Sequence, residues 1–213
     1  MAAPPKPFAG QIPLPLMRQG GSTRIVIGPA NEGVLEACRL ADSWPFRTAL
    51  LWGEQRSGKS LIARWFAESG LGDAIDDAQG LDEDAIFHRW NRAQEARRPL
   101  LIVGPPVPDS WQVALPDLGS RLGAALNLRI ETPDDTMIEG LIEAHAEARG
   151  LALADGATTY LVPRAPRSFA GVEALVAEID RISLERKIPA TLAVWREALD
   201  ILGGGTGEQG DLL

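Results

Sequence analysis

The octapeptide Gly53-Glu54-Gln55-Arg56-Ser57-Gly58-Lys59-Ser60 constrains this chain more than any other stretch, because it matches G-x-x-x-x-G-K-[ST] at every defined position. The apolar run Thr48–Trp52 stands directly before it and reads as a buried strand. Lys59–Glu68 follows with apolar residues at helical spacing. A strand, a glycine-bearing turn and a helix in that order aim backbone N–H groups and a helix N-terminus at phosphate. Lys59 then brings a point charge to the β- and γ-phosphates, and the Ser60 hydroxyl ligates Mg²⁺. Gly53, Gln55, Arg56, Ser57, Gly58 and Leu61 complete the candidate cradle. The alternative, a surface turn with a chance match, leaves both flanks unexplained.

The rest of the chain alternates around this unit. Asn31–Ala41 has helical spacing, with Val34, Leu35, Cys38 and Ala41 on one side. Ala74-Ile75 reads as a strand end that delivers Asp76-Asp77, and Asp82–Ala96 as a helix. Pro99–Gly104 is the clearest buried strand, and Leu128–Ile130 a further short one. Such alternation predicts an α/β fold, a parallel sheet covered by helices in three layers. After Pro133 only helical patterns follow, over Asp134–Arg149, Asp155–Val162, Ser168–Arg186 and Pro189–Leu202. Asp134, Asp135 and Ser168 are the expected caps and Gly150 the expected stop. The predicted division is an arm rich in Pro and Gly over 1–23, a nucleotide-binding α/β domain over 24–133, a helical lid over 134–202 and a mobile tail over 203–213.

A phosphate site of this kind needs an acidic group at the tip of a neighbouring strand. Asp76 is the candidate for the Mg²⁺ shell and Asp77 for orienting the attacking water. A helix-capping or solvated pair within the acidic stretch Asp73–Asp84 is the alternative. Charge narrows the partners: 29 acidic against 21 basic residues, a net charge of −8, argue against a protein that coats duplex DNA. No apolar stretch approaches the roughly 20 residues of a membrane helix, and the N-terminus has no signal layout. The single cysteine, Cys38, allows no intramolecular disulfide, so a reducing cytoplasm is the expected setting. With only His88 and His145 besides, no structural zinc site is expected. The six tryptophans fall mostly on apolar faces and read as core rather than base-stacking platforms, with Trp111 in a loop.

Taken in order, several segments resemble the AAA+ family of the bacterial replication initiator DnaA, and within it the short Hda-type regulators. Gln11-Ile12-Pro13-Leu14-Pro15-Leu16 is similar to the Q-L-x-L-P-L with which such regulators bind the sliding clamp. Ile25-Val26-Ile27-Gly28-Pro29-Ala30-Asn31 resembles the segment that lies against the adenine. The phosphate loop comes next, then Ala85-Ile86-Phe87 with Asn91-Arg92. Leu115-Pro116-Asp117-Leu118-Gly119-Ser120-Arg121-Leu122 resembles the family's L-P-D-L-x-S-R-L arginine-finger segment. Pro166-Arg167-Ser168-Phe169 is a looser match to the second sensor.

The resemblance runs from Gln11 to about Leu202. It implies a nucleotide domain followed by a helical lid, with ADP or ATP and Mg²⁺ as ligands. Val26, Ile27 and Asn31 would lie beside the base, and Arg167 would touch the nucleotide from the lid. Arg121 would reach a nucleotide held by a neighbouring subunit. The implied partners are the sliding clamp, through Gln11, Ile12, Leu14 and Leu16, and DnaA, through the Arg121 face, with a second copy of the chain as a further candidate. The residues alone also allow Arg121 to pair with Asp117 or another acid, and the hexapeptide to be an ordinary proline-rich leader. Gln209–Leu213 vaguely resembles a second clamp motif and reads as coincidence.

Departures from the family shape the expectation. Only Gly70–Asp73 precedes the acidic pair where the family has a further strand and helix, so the sheet is expected to be one strand smaller. Val103-Gly104, followed by Pro105, lacks the polar residue that serves as the first sensor, which implies weak intrinsic hydrolysis. No DNA-reading helix-turn-helix follows the helical segment, so sequence-specific DNA binding is not expected. The function implied is a clamp-associated regulator that promotes hydrolysis of DnaA-bound ATP. The alternatives are a stand-alone P-loop ATPase and a non-catalytic, nucleotide-bound clamp adaptor.

Overall fold

A computed structural model describes residues 11–13, 24–106 and 110–204. Gln11–Pro13 is a short strand, β1, and Arg24–Val26 another, β2. Four strands, β3 (Thr48–Trp52), β4 (Asp73–Ile75), β5 (Leu100–Val103) and β6 (Leu126–Arg129), form one sheet in the order β4-β5-β3-β6. Every pair is parallel, with Leu50 opposite Ile102 and Leu51 opposite Leu128. β3 and β5 are buried along their whole length, which is why they read as unbroken apolar runs rather than alternating ones.

Parallel pairing requires a crossover after each strand. Helix α1 (Glu32–Arg39) comes first and buries Val34, Leu35 and Cys38. The crossovers are α2 (Lys59–Glu68), α3 (Glu83–Glu95) and α4 (Pro116–Ala124). Because the strands run one way, Gly53, Asp76 and Gly104 leave β3, β4 and β5 at the same end of the sheet, where open α/β sheets bind ligands. Among the described residues no strand intervenes between α2 and β4. The chain turns back within Ser69–Gly72, and the Asp73 N–H donates to the Pro99 carbonyl at 2.8 Å. The expected shorter sheet is therefore present. Leu50, Ile75, Ile86, Ile102, Leu118 and Leu122 pack together between the sheet, α3 and α4.

Two compact units divide the chain near residue 132. The helical unit contains α5 (Asp135–Arg149), α6 (Ala157–Leu161), α7 (Phe169–Arg186) and α8 (Leu192–Gly204). The Asp134 carboxylate accepts from the Met137 N–H and the Ser168 hydroxyl from the Gly171 N–H, so Asp134 and Ser168 cap as expected, while Asp135 is the first helical residue. Gly150 stops α5 at φ 65°. Helix α6 is shorter than its pattern predicts, because Gly156 at φ 81° delays its start and Val162–Arg164 tightens into a 3₁₀ turn at its end. Ile138, Leu161, Val172, Leu175, Val176, Ile179 and Trp195 make this unit's core.

One boundary differs from expectation. Residues 24–28 fall with the helices rather than with the α/β unit. Val26 lies so close to α5 that a Cβ on Gly140 would sit 2.8 Å from its Cγ1. The Arg24 guanidinium also donates to Glu147, on the same helix, at 2.6 Å. No helix among the described residues is long and apolar enough to cross a membrane.

Candidate functional site

The turn after β3 is built by close approach. Gly53 has φ 153°, and a Cβ there would stand 3.0 Å from both the Ile130 Cβ and the Ser57 hydroxyl oxygen. Gly58 begins α2 in the left-handed region and gives it no side-chain cap, so the first-turn N–H groups and the positive end of the helix are left for an anion. The Lys59 ammonium donates to the Gly53 carbonyl at 2.7 Å and the Glu54 carbonyl at 2.8 Å, bridging the loop. Burial pulls its pKa below the ordinary lysine value, and the Asp76 carboxylate pushes it partly back. The Ser57 hydroxyl oxygen is buried without a hydrogen-bond partner, and Leu61 is half-buried in the first turn of α2.

Asp76 and Asp77 arrive at the end of β4, as the sequence predicts. The Ser60 hydroxyl donates to the Asp76 Oδ1 at 3.1 Å, and the Gln79 amide donates to the Asp77 Oδ1 at 2.8 Å. Gln55, Arg56, Lys59, Ser60, Asp76, Asp77, Gln79 and Gly104 line one cavity of about 400 Å³. A lysine, an uncapped helix start and an unsatisfied buried hydroxyl suit an anionic ligand. One hydroxyl beside one carboxylate suits Mg²⁺, which takes few protein oxygens and completes its shell with phosphate and water. Gln79 was not legible in advance, since only its place two residues after Asp77 marks it.

Packing at Gly104, which leaves β5 between β3 and β4, explains the missing polar residue there. A Cβ there would collide with the Trp52 indole at 2.6 and 2.8 Å. That indole is fixed by its own N–H, which donates to the Asn127 amide oxygen at 2.7 Å. Trp52 thus occupies the room that a side chain at 104 would need.

Other expected site residues are placed differently. Asn31 is buried at the start of α1 in the α/β unit. Val26 and Ile27 are half-buried and belong to the helical unit, not to the nucleotide domain assigned to them from sequence. Arg167 is exposed and forms an ion pair with Asp135 at the start of α5. Gln11 and Ile12 lie in β1, while Leu14 and Leu16 lie outside the described residues, as do Gln209–Leu213.

Arg121 on α4 pairs with neither Asp117 nor any other carboxylate among the described residues. Its Nη1 donates to the Asn91 Oδ1 at 2.6 Å. Its guanidinium carbon lies 4.3 Å from the centre of the Phe87 ring and 4.0 Å from that of Trp90. All three partners come from α3, and two of them, Phe87 and Asn91, are in the segment already singled out by resemblance. The residue is half-buried. Trp111, expected in an open loop, packs half-buried against the α/β core.

No family model matches the chain. An uncharacterized protein of Haemophilus influenzae is 24% identical over 230 aligned residues, covering 90% of this chain and 99% of that protein. Domain III of the Thermotoga maritima replication initiation protein DnaA superposes with a TM-score of 0.66 at 14% identity, covering 84% of this chain and 94% of that one. AMPPCP-bound DnaA from Aquifex aeolicus gives 0.57 at 15% identity, over 76% of this chain and 66% of that one. The Thermotoga maritima RuvB Holliday junction branch migration motor gives 0.55 at 17% identity, over 82% and 69%. The parallel sheet with its phosphate loop, continued by a helical unit, is the AAA+ fold that this chain shares with domain III of DnaA.

Proposed function

We propose that this chain is an adenine-nucleotide-bound regulator that promotes hydrolysis of ATP on the replication initiator DnaA while tethered to the sliding clamp through Gln11–Leu16. The observation that supports this reading is a phosphate cradle beside a strand end, Gly104, that carries no side chain. Lys59, Ser60 and Asp76 line one cavity, while the Trp52 indole leaves room only for glycine at 104. Such a site favours holding a nucleotide over turning it over. The AMPPCP on Aquifex aeolicus DnaA supports adenine nucleotide as the ligand class.

Bound ADP or ATP would then be a resident cofactor, with Ser60 and Asp76 on Mg²⁺. Asp77, steadied by Gln79, is the group left to orient a water if slow turnover occurs. Asn31, Val26, Ile27 and Arg167 remain the residues proposed for the base and for sensing nucleotide state. Arg121 supplies the guanidinium for the partner's γ-phosphate, a contribution of about 10³–10⁵ in rate in nucleotide hydrolases that use one.

Phosphate release from ATP-loaded DnaA, in the presence of clamp-loaded DNA, tests the reading. This chain is expected to accelerate release, and Arg121→Ala to abolish the acceleration. Acceleration that survives Arg121→Ala, or none in a system where another activator works, overturns it. Rapid steady-state hydrolysis by the isolated chain would favour the stand-alone ATPase instead. Clamp capture that persists after Gln11→Ala and Leu14→Ala would remove the proposed tether.

A further inference from the structure

We infer that Phe87, Trp90 and Asn91 form a cradle that presents Arg121 as a fixed guanidinium edge, paired to no carboxylate among the described residues, to a phosphate on another molecule. This inference rests on the function proposed above and adds positioning residues to it. A guanidinium carries five N–H donors in its own plane and no acceptor. Aromatic rings attract it through its faces, so the contacts at 4.3 and 4.0 Å orient the group without consuming a donor. Asn91 takes one bond at Nη1 and brings no charge. No other hydrogen bond from Arg121 occurs among the described residues.

The contrast with the chain's other arginines is informative. Arg24, Arg98, Arg167, Arg181 and Arg186 each meet a carboxylate, whereas Arg164 is held by neutral groups four residues away on its own segment, the Tyr160 ring at 4.2 Å and the Tyr160 carbonyl at 3.0 Å. Arg121 meets neutral partners only, all of them on a different helix, and remains half-buried rather than enclosed. A strut that merely joins two helices gains most from a neutralising acid. A group meant to meet an external anion gains from keeping its charge while losing its rotational freedom beforehand. In-plane N–H pairs match phosphate oxygens bidentately, which a lysine cannot do.

The cradle itself is braced. The Glu83 carboxylate accepts from the Ala114 and Leu115 N–H groups at 2.9 and 2.6 Å, hanging the start of α4 from the start of α3. Arg89 ties α3 to the Ala74 carbonyl of β4 at 2.7 Å. Position and direction of residue 121 are therefore set by α3 and, through it, by the sheet.

The full chain with clamp-loaded DNA and ATP-loaded DnaA provides the test. Phe87→Leu with Trp90→Leu is expected to lower the maximal stimulated rate 10- to 100-fold, with little change in the concentration giving half-maximal stimulation. Phe87→Tyr with Trp90→Phe keeps both ring faces and is expected to stay within twofold of wild type. Asn91→Asp keeps the hydrogen bond but captures the charge, and is expected to cost at least tenfold. ADP affinity of each variant reports that the fold is intact. In the free chain, the Arg121 side-chain resonances, assigned by their loss in Arg121→Lys, are expected upfield from ring currents and normal in the leucine pair.

Leucine-pair and Asn91→Asp variants within twofold of wild type, with Arg121→Ala inactive, overturn the cradle while the proposed function stands. Arg121→Ala without effect overturns the function itself. Should the leucine pair fail to bind ADP, the Asn91→Asp rate and the Arg121 resonances decide.

Discussion

Lys59 holds the site's charge in a form that pH can report. Burial lowers its pKa below 10.5, so on raising the pH the folded chain releases this proton before the unfolded chain does. Between the lowered value and 10.5 the unfolded state binds more protons, and the burial penalty on Lys59 is relieved as pH rises through that window. A bound phosphate favours the charged ammonium and reverses the shift. Nucleotide binding is therefore expected to take up a proton in the alkaline range and to weaken as pH rises there, measured by calorimetry in buffers of different ionisation enthalpy. Lys59→Ala should cost about 1.5–3 kcal/mol of nucleotide affinity, the range for a hydrogen bond to a charged group. At Gly104 the constraint is steric: a Cβ 2.6 Å from the indole makes Gly104→Ala destabilising by about 1–3 kcal/mol in urea unfolding. Trp52→Phe in the same chain should recover part of that loss.

The brace between α3 and α4 is the element whose removal should be felt most selectively. Helix α4 has Leu115 at its N-cap, which offers no side-chain acceptor, and Pro116 next. Glu83 instead anchors the two residues that lead into the helix, through the Ala114 and Leu115 N–H groups, so Glu83→Ala should cost about 1–3 kcal/mol and speed hydrogen exchange in α4 before the rest of the unit. The same fact shows what sequence could reveal. Thr48–Trp52, Lys59–Glu68 and Leu100–Val103 were legible because period and apolar runs are local, as were the caps at Asp134 and Ser168 and the stop at Gly150. Helix α4 was not anticipated, because no side chain caps it and the acid that anchors its entry lies 32 positions before Leu115. β1 and β2 are too short for any period to show. That residues 24–28 would join the helices depends on the gap left by Gly140 on α5, and the seat of Arg121 on side chains brought together only by packing. The phosphate loop and the acidic pair, by contrast, meet where the strand directions require.

For the molecule as a whole, ligand binding and opening can be followed by one thiol. Burial raises the Cys38 pKa from 9.0 to about 12, so it is inert at neutral pH. The sign is opposite to that of Lys59: this contribution is fully present below pH 9.0 and is lost as pH rises towards about 12. Labelling at pH 8 is expected to require opening of the α/β unit, and nucleotide at about 100 times its Kd should slow it by stabilising the folded state by about 2.7 kcal/mol. Labelling unaffected by nucleotide would separate α1 from the binding unit. The shortened sheet has a further consequence at its outer border. β4 offers only three residues, with Asp73 paired to Arg98 and Asp76 and Asp77 just beyond. A bare strand border is a template for aggregation, and here brevity and acidity spoil the template. Lengthening β4 or replacing those acids with β-branched residues would open a docking rail for stacking copies into fibres, so the missing strand is tolerable only while that border stays short and charged.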